Sequence, residues 1–360
     1  LGWMGQLAGL SPQLWRGVIQ DTASTSCLVA LLVARERATG FSQEADGLAG
    51  FGRPVTVYTS EQAHTSVAKA ALLAGFGRAN LRLVGCDPAT FAMRPDVLAR
   101  SMAADAADGC LPAAVVATIG TTASTAIDPV AEIVEVSRRH NAFVHVDAAL
   151  AGSAMLLPEC APLFEGLDGA DSICWNPHKW MGTALDCSLF YVRNVAELNA
   201  VMSTRASYLA EPGAPGAEAP TQYRDWGIPL GRRFRALKLY FQLRLDGVEA
   251  IRARLRRDLV NAAWLAREVA ATPNWTVLAP VPLQTVCVLH EPRPGLSADE
   301  LDRHTLYWCE AVNRSGRAHL TPALLGARYM VRCSIGAEAT ERSDVEEVWR
   351  LMREHAEAAP

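Results

Sequence analysis

Between Val55 and Val192 short apolar runs alternate with stretches whose apolar residues recur three and four positions apart. A sheet of parallel strands joined by crossover helices requires that alternation, because its strands are buried on both faces and each helix on one. Strands are predicted at Val55–Tyr58, Leu81–Gly85, Ala113–Ile119, Phe143–Ala148, Ser172–Trp175 and Ser188–Val192, all rich in residues that suit a pleated, buried surface. Covering helices are predicted at Thr65–Gly75, Pro95–Ala104 and Pro129–His140, the last with Asp128 as an acidic N-cap before Pro129.

Beyond this core, Ala210–Pro220 holds three Pro and two Gly among eleven residues, which suits neither a helix interior nor a central strand and reads as a mobile surface loop. Arg232–Leu245 and Val248–Ala271 follow as long amphipathic helices broken at Asp246-Gly247. Strands are expected near Trp275–Leu278, Thr285–His290 and Tyr329–Ile335, and a last helix opened by a Ser343-to-Glu346 capping box. The division expected is a large domain over 1–245 and a smaller α+β domain over 246–360.

Half of the 360 residues are hydrophobic, so a sizeable core needs no covalent staples. A net charge of −4 argues against a general nucleic-acid binder. No apolar run approaches the ~20 residues of a membrane span, and Leu1–Gly5 lacks the basic-then-apolar order of a signal peptide. Nine scattered cysteines without a C-x-x-C pair suggest neither a disulfide framework nor a zinc site, and fit a reducing, cytoplasmic setting. His140 and His145 straddle a helix-to-strand junction, where no regular element aims both rings at one metal, so no metal is expected.

The chemistry concentrates in two segments. Asp147 ends a strand in His145-Val146-Asp147-Ala148-Ala149, and Lys179 follows 32 residues later in Asn176-Pro177-His178-Lys179-Trp180. Residues past the carboxyl ends of strands in an open α/β sheet face the ligand crevice, so these two can meet there. A lysine amine beside a carboxylate can condense with an aldehyde cofactor while the carboxylate keeps a pyridine nitrogen protonated, which is pyridoxal phosphate chemistry. Taken singly, an Asp in a turn and a Lys in solvent is the blander reading. Thr22-Ala23-Ser24 before the apolar helix Cys27–Ala38 suits a phosphate at a helix start. His64 closes a strand-to-helix loop where its ring can stack on a flat cofactor, and Thr122 sets a hydroxyl at the same crevice.

Together with Gly17-Val18-Ile19-Gln20, Gln62-Ala63-His64, Gly120-Thr121-Thr122 and the string Ile228–Lys238, these segments resemble the group II pyridoxal-phosphate amino-acid decarboxylases, the aromatic-L-amino-acid decarboxylases above all. The resemblance implies pyridoxal-phosphate fold type I, aspartate aminotransferase-like, with a mainly parallel sheet in the large domain. It implies a homodimer, and a further N-terminal family segment upstream of Leu1. It also implies roles: Lys179 attached to the cofactor, Asp147 on the ring nitrogen, His64 stacked on the ring, and Thr22, Ala23, Ser24, Asn176 and His178 around the phosphate. Thr122 and Ala149 would line the cofactor, and Tyr223 would be the acid on a catalytic loop.

The implied activity is decarboxylation of an aromatic L-amino acid to its amine, with tryptophan, dopa, tyrosine or phenylalanine as substrate. Aldehyde-forming relatives replace the loop tyrosine or the stacking histidine, and both Tyr223 and His64 are present here. At Gly231, where resembling histidine and plant tyrosine decarboxylases carry Ser, the missing side chain would leave room for a larger ring. The alternatives are an aldehyde-forming or other amino-acid decarboxylase and a non-catalytic fragment acting through dimer contacts. Departures from the pattern are Asp21, Leu150 and Ala184-Leu185; an acid at position 21 suits a phosphate site only if it points away.

Overall fold

A computed structural model describes residues 1–204 and 221–359. The expected loop over 210–220 lies outside the described residues. Seven strands form the large sheet: β1 (Arg16–Gln20), β2 (Val55–Ser60), β3 (Leu81–Val84), β4 (Leu111–Thr118), β5 (Phe143–Asp147), β6 (Ser172–Trp175) and β7 (Ser188–Val192). Their order is β1-β7-β6-β5-β4-β2-β3. Pairings among β3, β2, β4, β5 and β6 are parallel, and β7 is antiparallel to both its neighbours, so it alone runs against the rest. Strands β2, β5, β6 and β7 are buried along their whole length, which is why they read as apolar runs without alternation.

Two apolar layers clamp this sheet. On one face Cys27, Leu31 and Ala34 of the helix Ala23–Ala38 pack with Val67 and Ala71 of the helix Thr65–Leu73. On the other, Leu98 and Met102 of Pro95–Ala107 and Ile133 of Val130–Arg138 pack with Val115, Val144 and Ile173. The phosphate-side helix therefore begins at Ala23, four residues earlier than its apolar content suggested. Asp128 is not the cap of the helix after it: Pro129 holds that position, and the buried Asp128 carboxylate accepts the N–H groups of Met93 and Thr118, both at 2.7 Å.

The C-terminal part is a four-stranded antiparallel sheet of β8 (Trp275–Val277), β9 (Thr285–His290), β10 (Thr321–Leu325) and β11 (Arg328–Ser334), ordered β10-β11-β9-β8. Trp308 of the helix Ala298–Arg314 and Trp349 of Arg342–Glu357 pack with Trp275 in its core. The final helix is capped two residues earlier than the sequence suggested: Glu341 and Asp344 form the reciprocal box, not Ser343 and Glu346. The long helix Val248–Ala271 serves both cores, with Ile251 and Leu255 in the large one and Ala262, Leu265 and Val269 in the small one. No helix among the described residues is long and apolar enough to cross a membrane.

Candidate active site

Every codirectional strand of the large sheet except β3 ends at one cleft of about 380 Å³. Thr22, Ala23 and Ser24 follow β1, and His64 and Ser66 follow β2. Thr118, Gly120 and Thr122 end β4, Asp147 and Ala149 end β5, and Asn176, His178 and Lys179 follow β6. Leu150 and Arg332 complete the wall. The convergence is topological: six strands running one way bring their carboxyl ends to one edge, and the loops that leave them carry the polar residues.

The cleft holds two opposite charges that do not neutralise each other. The Asp147 carboxylate is buried, and its Oδ1 accepts the Ala149 N–H at 3.0 Å, with the Cys174 thiol at 3.9 Å. Exposed in the cleft, the Lys179 ammonium has no hydrogen-bond or ion-pair partner among the described residues. Behind Asp147 the His145 ring, held at 2.8 Å from Ser172 Oγ, is fully buried, and burial pushes its pKa down to about 4. Burial beside the Asp147 charge likewise drives the Cys174 thiol far up. Both stay neutral, so the Asp147 charge is left for whatever occupies the cleft.

The opposite end is built for an anion. Thr22 is the N-cap of Ala23–Ala38 and no side chain caps that helix, so its first-turn N–H groups are free to bind a ligand. Asp21 turns away, its carboxylate accepting the Thr22 N–H at 2.7 Å, and it does not line the cleft. The His178 Nδ1 accepts the Cys187 N–H at 2.8 Å, and burial lowers the ring's pKa, which leaves Nε2 as its free nitrogen.

Two wall atoms, Asn176 Oδ1 and Thr118 Oγ1, are buried without a protein partner. Buried polar groups are ordinarily paired, so unmatched ones in a cleft wall await a ligand. An unpaired lysine, a facing carboxylate, an uncapped helix start and two orphaned polar atoms fit pyridoxal phosphate: aldehyde, ring nitrogen, phosphate and ring substituents each find a partner of the right chemistry.

Ten of the twelve residues singled out in the sequence lie on this cleft: Thr22, Ala23, Ser24, His64, Thr122, Asp147, Ala149, Asn176, His178 and Lys179. Tyr223 and Gly231 do not. Tyr223 stands edge-on to Trp226 at 5.6 Å in a separate hollow beside Leu1 and Tyr191. Gly231 faces open space, so within one protomer its missing side chain shapes no pocket. Sequence reasoning missed Ser66, Thr118 and Arg332. Thr118 was legible near the end of a strand whose neighbours were already suspected; Arg332 was not, because it arrives from the four-stranded sheet, 153 residues after Lys179.

Residues 1–290 match the family described as the pyridoxal-dependent decarboxylase conserved domain. The chain is 34% identical over 366 residues to a phenylacetaldehyde synthase of Arabidopsis thaliana, covering 99% of this chain and 72% of that protein. It is 36% identical over 349 residues to tryptophan decarboxylase 2 of Oryza sativa subsp. japonica, covering 96% and 69%. Among solved structures, that of Oryza sativa TDC with PLP and tryptamine superposes with a TM-score of 0.93 at 33% identity, covering 99% of this chain and 74% of that one.

Proposed function

The chain belongs to the pyridoxal-dependent decarboxylase family, and from that membership we propose that it releases the α-carboxylate of an aromatic L-amino acid as CO2, leaving the amine. The observation that carries this is the unpartnered Lys179 ammonium sharing a cleft with the buried Asp147 carboxylate and the Arg332 guanidinium. Tryptophan, dopa, tyrosine and phenylalanine are the substrates to test; the similarity to a tryptophan decarboxylase supports the first.

When bound, pyridoxal phosphate supplies an electron-accepting ring conjugated to the substrate nitrogen. Lys179 would hold its aldehyde carbon, and the free N–H groups at Ala23 and Ser24, with Asn176 and His178, its phosphate. Asp147, oriented by the Ala149 N–H, would hold a proton at the ring nitrogen and so keep the acceptor cationic. His64 would cover the ring face, and Thr118 and Thr122, which line the same cleft, would offer hydroxyls to the cofactor or the substrate. Arg332 is suited to the substrate carboxylate: its Nε is buried without a partner, burial lowers the guanidinium's pKa, and a carboxylate beside it would offset that cost.

Tyr223 is proposed as the acid that protonates the α-carbon. Since it stands outside the cleft of its own protomer, that role requires a conformational change or delivery from a second copy. A homodimer is supported by Ile228, Leu230, Phe234, Tyr240 and Phe241, large apolar side chains within fourteen residues of sequence that are all exposed to water. All nine cysteines are free, which supports a cytoplasmic setting. The division into 1–245 and 246–360 is likewise proposed, with Val248–Ala271 as the helix that joins the two cores.

The test is product analysis by mass spectrometry with the four amino acids. Amine and CO2 in equal amounts are expected. Aldehyde with hydrogen peroxide would establish instead the second reading, which the similarity to a phenylacetaldehyde synthase favours; no turnover of any of the four would overturn both.

A further inference from the structure

His64 is the N-cap of the helix Thr65–Leu73, an unusual cap because a ring nitrogen does the work: Nδ1 accepts the Ser66 backbone N–H at 3.2 Å. The Ser66 hydroxyl lies 2.8 Å from the same nitrogen. A backbone N–H can only donate, so Nδ1 must present a lone pair to it. A proton on Nδ1 would point at that N–H and break the cap. With Nδ1 bare, the hydroxyl also donates to it, and Nε2 carries the ring's proton.

We propose that Ser66 is a positioning residue whose peptide N–H and hydroxyl together hold His64 as the Nε2–H tautomer, so that the ring nitrogen not engaged in the cap carries a hydrogen-bond donor and not a lone pair. Ser66 itself is buried and lies in the cleft wall, where its hydroxyl has no other partner. An unrestrained imidazole would interchange donor and acceptor at Nε2, and an acceptor facing the anionic groups that this cleft is built for would repel them. Held at Nδ1 by both Ser66 groups, the ring of a cleft-lining residue keeps its one N–H at Nε2, alongside the cations Arg332 and Lys179 that line the same cleft. The consequence for turnover rests on the decarboxylase reading; the tautomer does not.

The experiment is 15N NMR of the histidine-labelled protein, with and without pyridoxal phosphate, the His64 signals being assigned by their loss in His64→Phe. An unprotonated Nδ1 and a protonated Nε2 are expected in both states. In Ser66→Ala both resonances should move toward the exchange-averaged position, and Ser66→Thr, which keeps the hydroxyl, should restore them. The same Ala variant should lower kcat for amine formation roughly three- to tenfold, the size of one ordinary hydrogen bond, with KM little changed. A protonated Nδ1 or an even mixture in the unsubstituted protein would overturn the proposal, as would a Ser66→Ala spectrum identical to it. The expected spectra without decarboxylation of any amino acid would overturn only the functional reading.

Discussion

Arg332 reaches the cleft from β11, so the four-stranded C-terminal sheet contributes directly to a site otherwise built from the loops of the seven-stranded one. If it holds the substrate carboxylate, Arg332→Leu should raise KM about 10- to 100-fold, the loss of a charge-assisted hydrogen bond of ~1.5–3 kcal/mol. Steady-state kinetics with the best substrate checks this, and an unchanged KM would remove Arg332 from the substrate site. Asp147→Asn isolates a different effect: the amide oxygen can still accept the Ala149 N–H at 3.0 Å, so the loop keeps its shape while the charge is lost. A kcat lower by ~10²–10⁴-fold is expected, with folding unaffected. Asp147 and Lys179 were legible because strand-end position and residue type both point to the cleft. Tyr223 was legible as a motif only, since sequence does not say which hollow a loop residue faces, and here it lies outside the cleft.

At the scale of elements, the approach to Lys179 depends on one close contact. A Cβ on Gly152 would sit 2.2 Å from the Cβ of the buried Trp175, the last residue of β6 before Asn176. Gly152→Ala should therefore cost about 1–3 kcal/mol in urea denaturation, and weaken cofactor binding as β6 shifts; unchanged stability would show that the turn over Ala151–Leu156 yields freely. Strands β2 and β4 to β7 were readable because strands inside the sheet must be almost continuously apolar, and the edge strand β3 because Leu and Val still dominate its four residues. Strand β1 was not, since its partner β7 lies about 170 residues away and only topology joins them. Pro322 disguised β10, an edge strand of the small sheet where a missing N–H is tolerated. The helix Ala298–Arg314 is a different matter: its Ser297–Glu300 capping box stood in the sequence unread.

Across the whole molecule, the two cores respond differently to acid. His290 Nδ1, at the end of β9, and His304 Nε2, on the helix Ala298–Arg314, lie 2.9 Å apart, so one donates and the other accepts, and at most one proton is shared between the facing nitrogens. Burial and the neighbouring His304 hold His290 down to about 4, and burial lowers His304. A depressed histidine contributes stability that is complete above its unfolded value of about 6.5 and is lost as pH falls through the folded one, because the unfolded chain binds the proton first. In the large core His145 has the same sign, but Asp128 opposes it: burial raises that carboxyl to about 6, so its penalty is relieved as pH falls. Acidification from pH 7 to 4.5 should therefore loosen the C-terminal sheet before the seven-stranded one. Hydrogen exchange resolved by segment measures this directly, with β9 and Ala298–Arg314 losing protection while β4 and β5 keep theirs. Equal loss in both sheets would mean that the long helix Val248–Ala271, shared by the two cores, couples them into one unfolding unit.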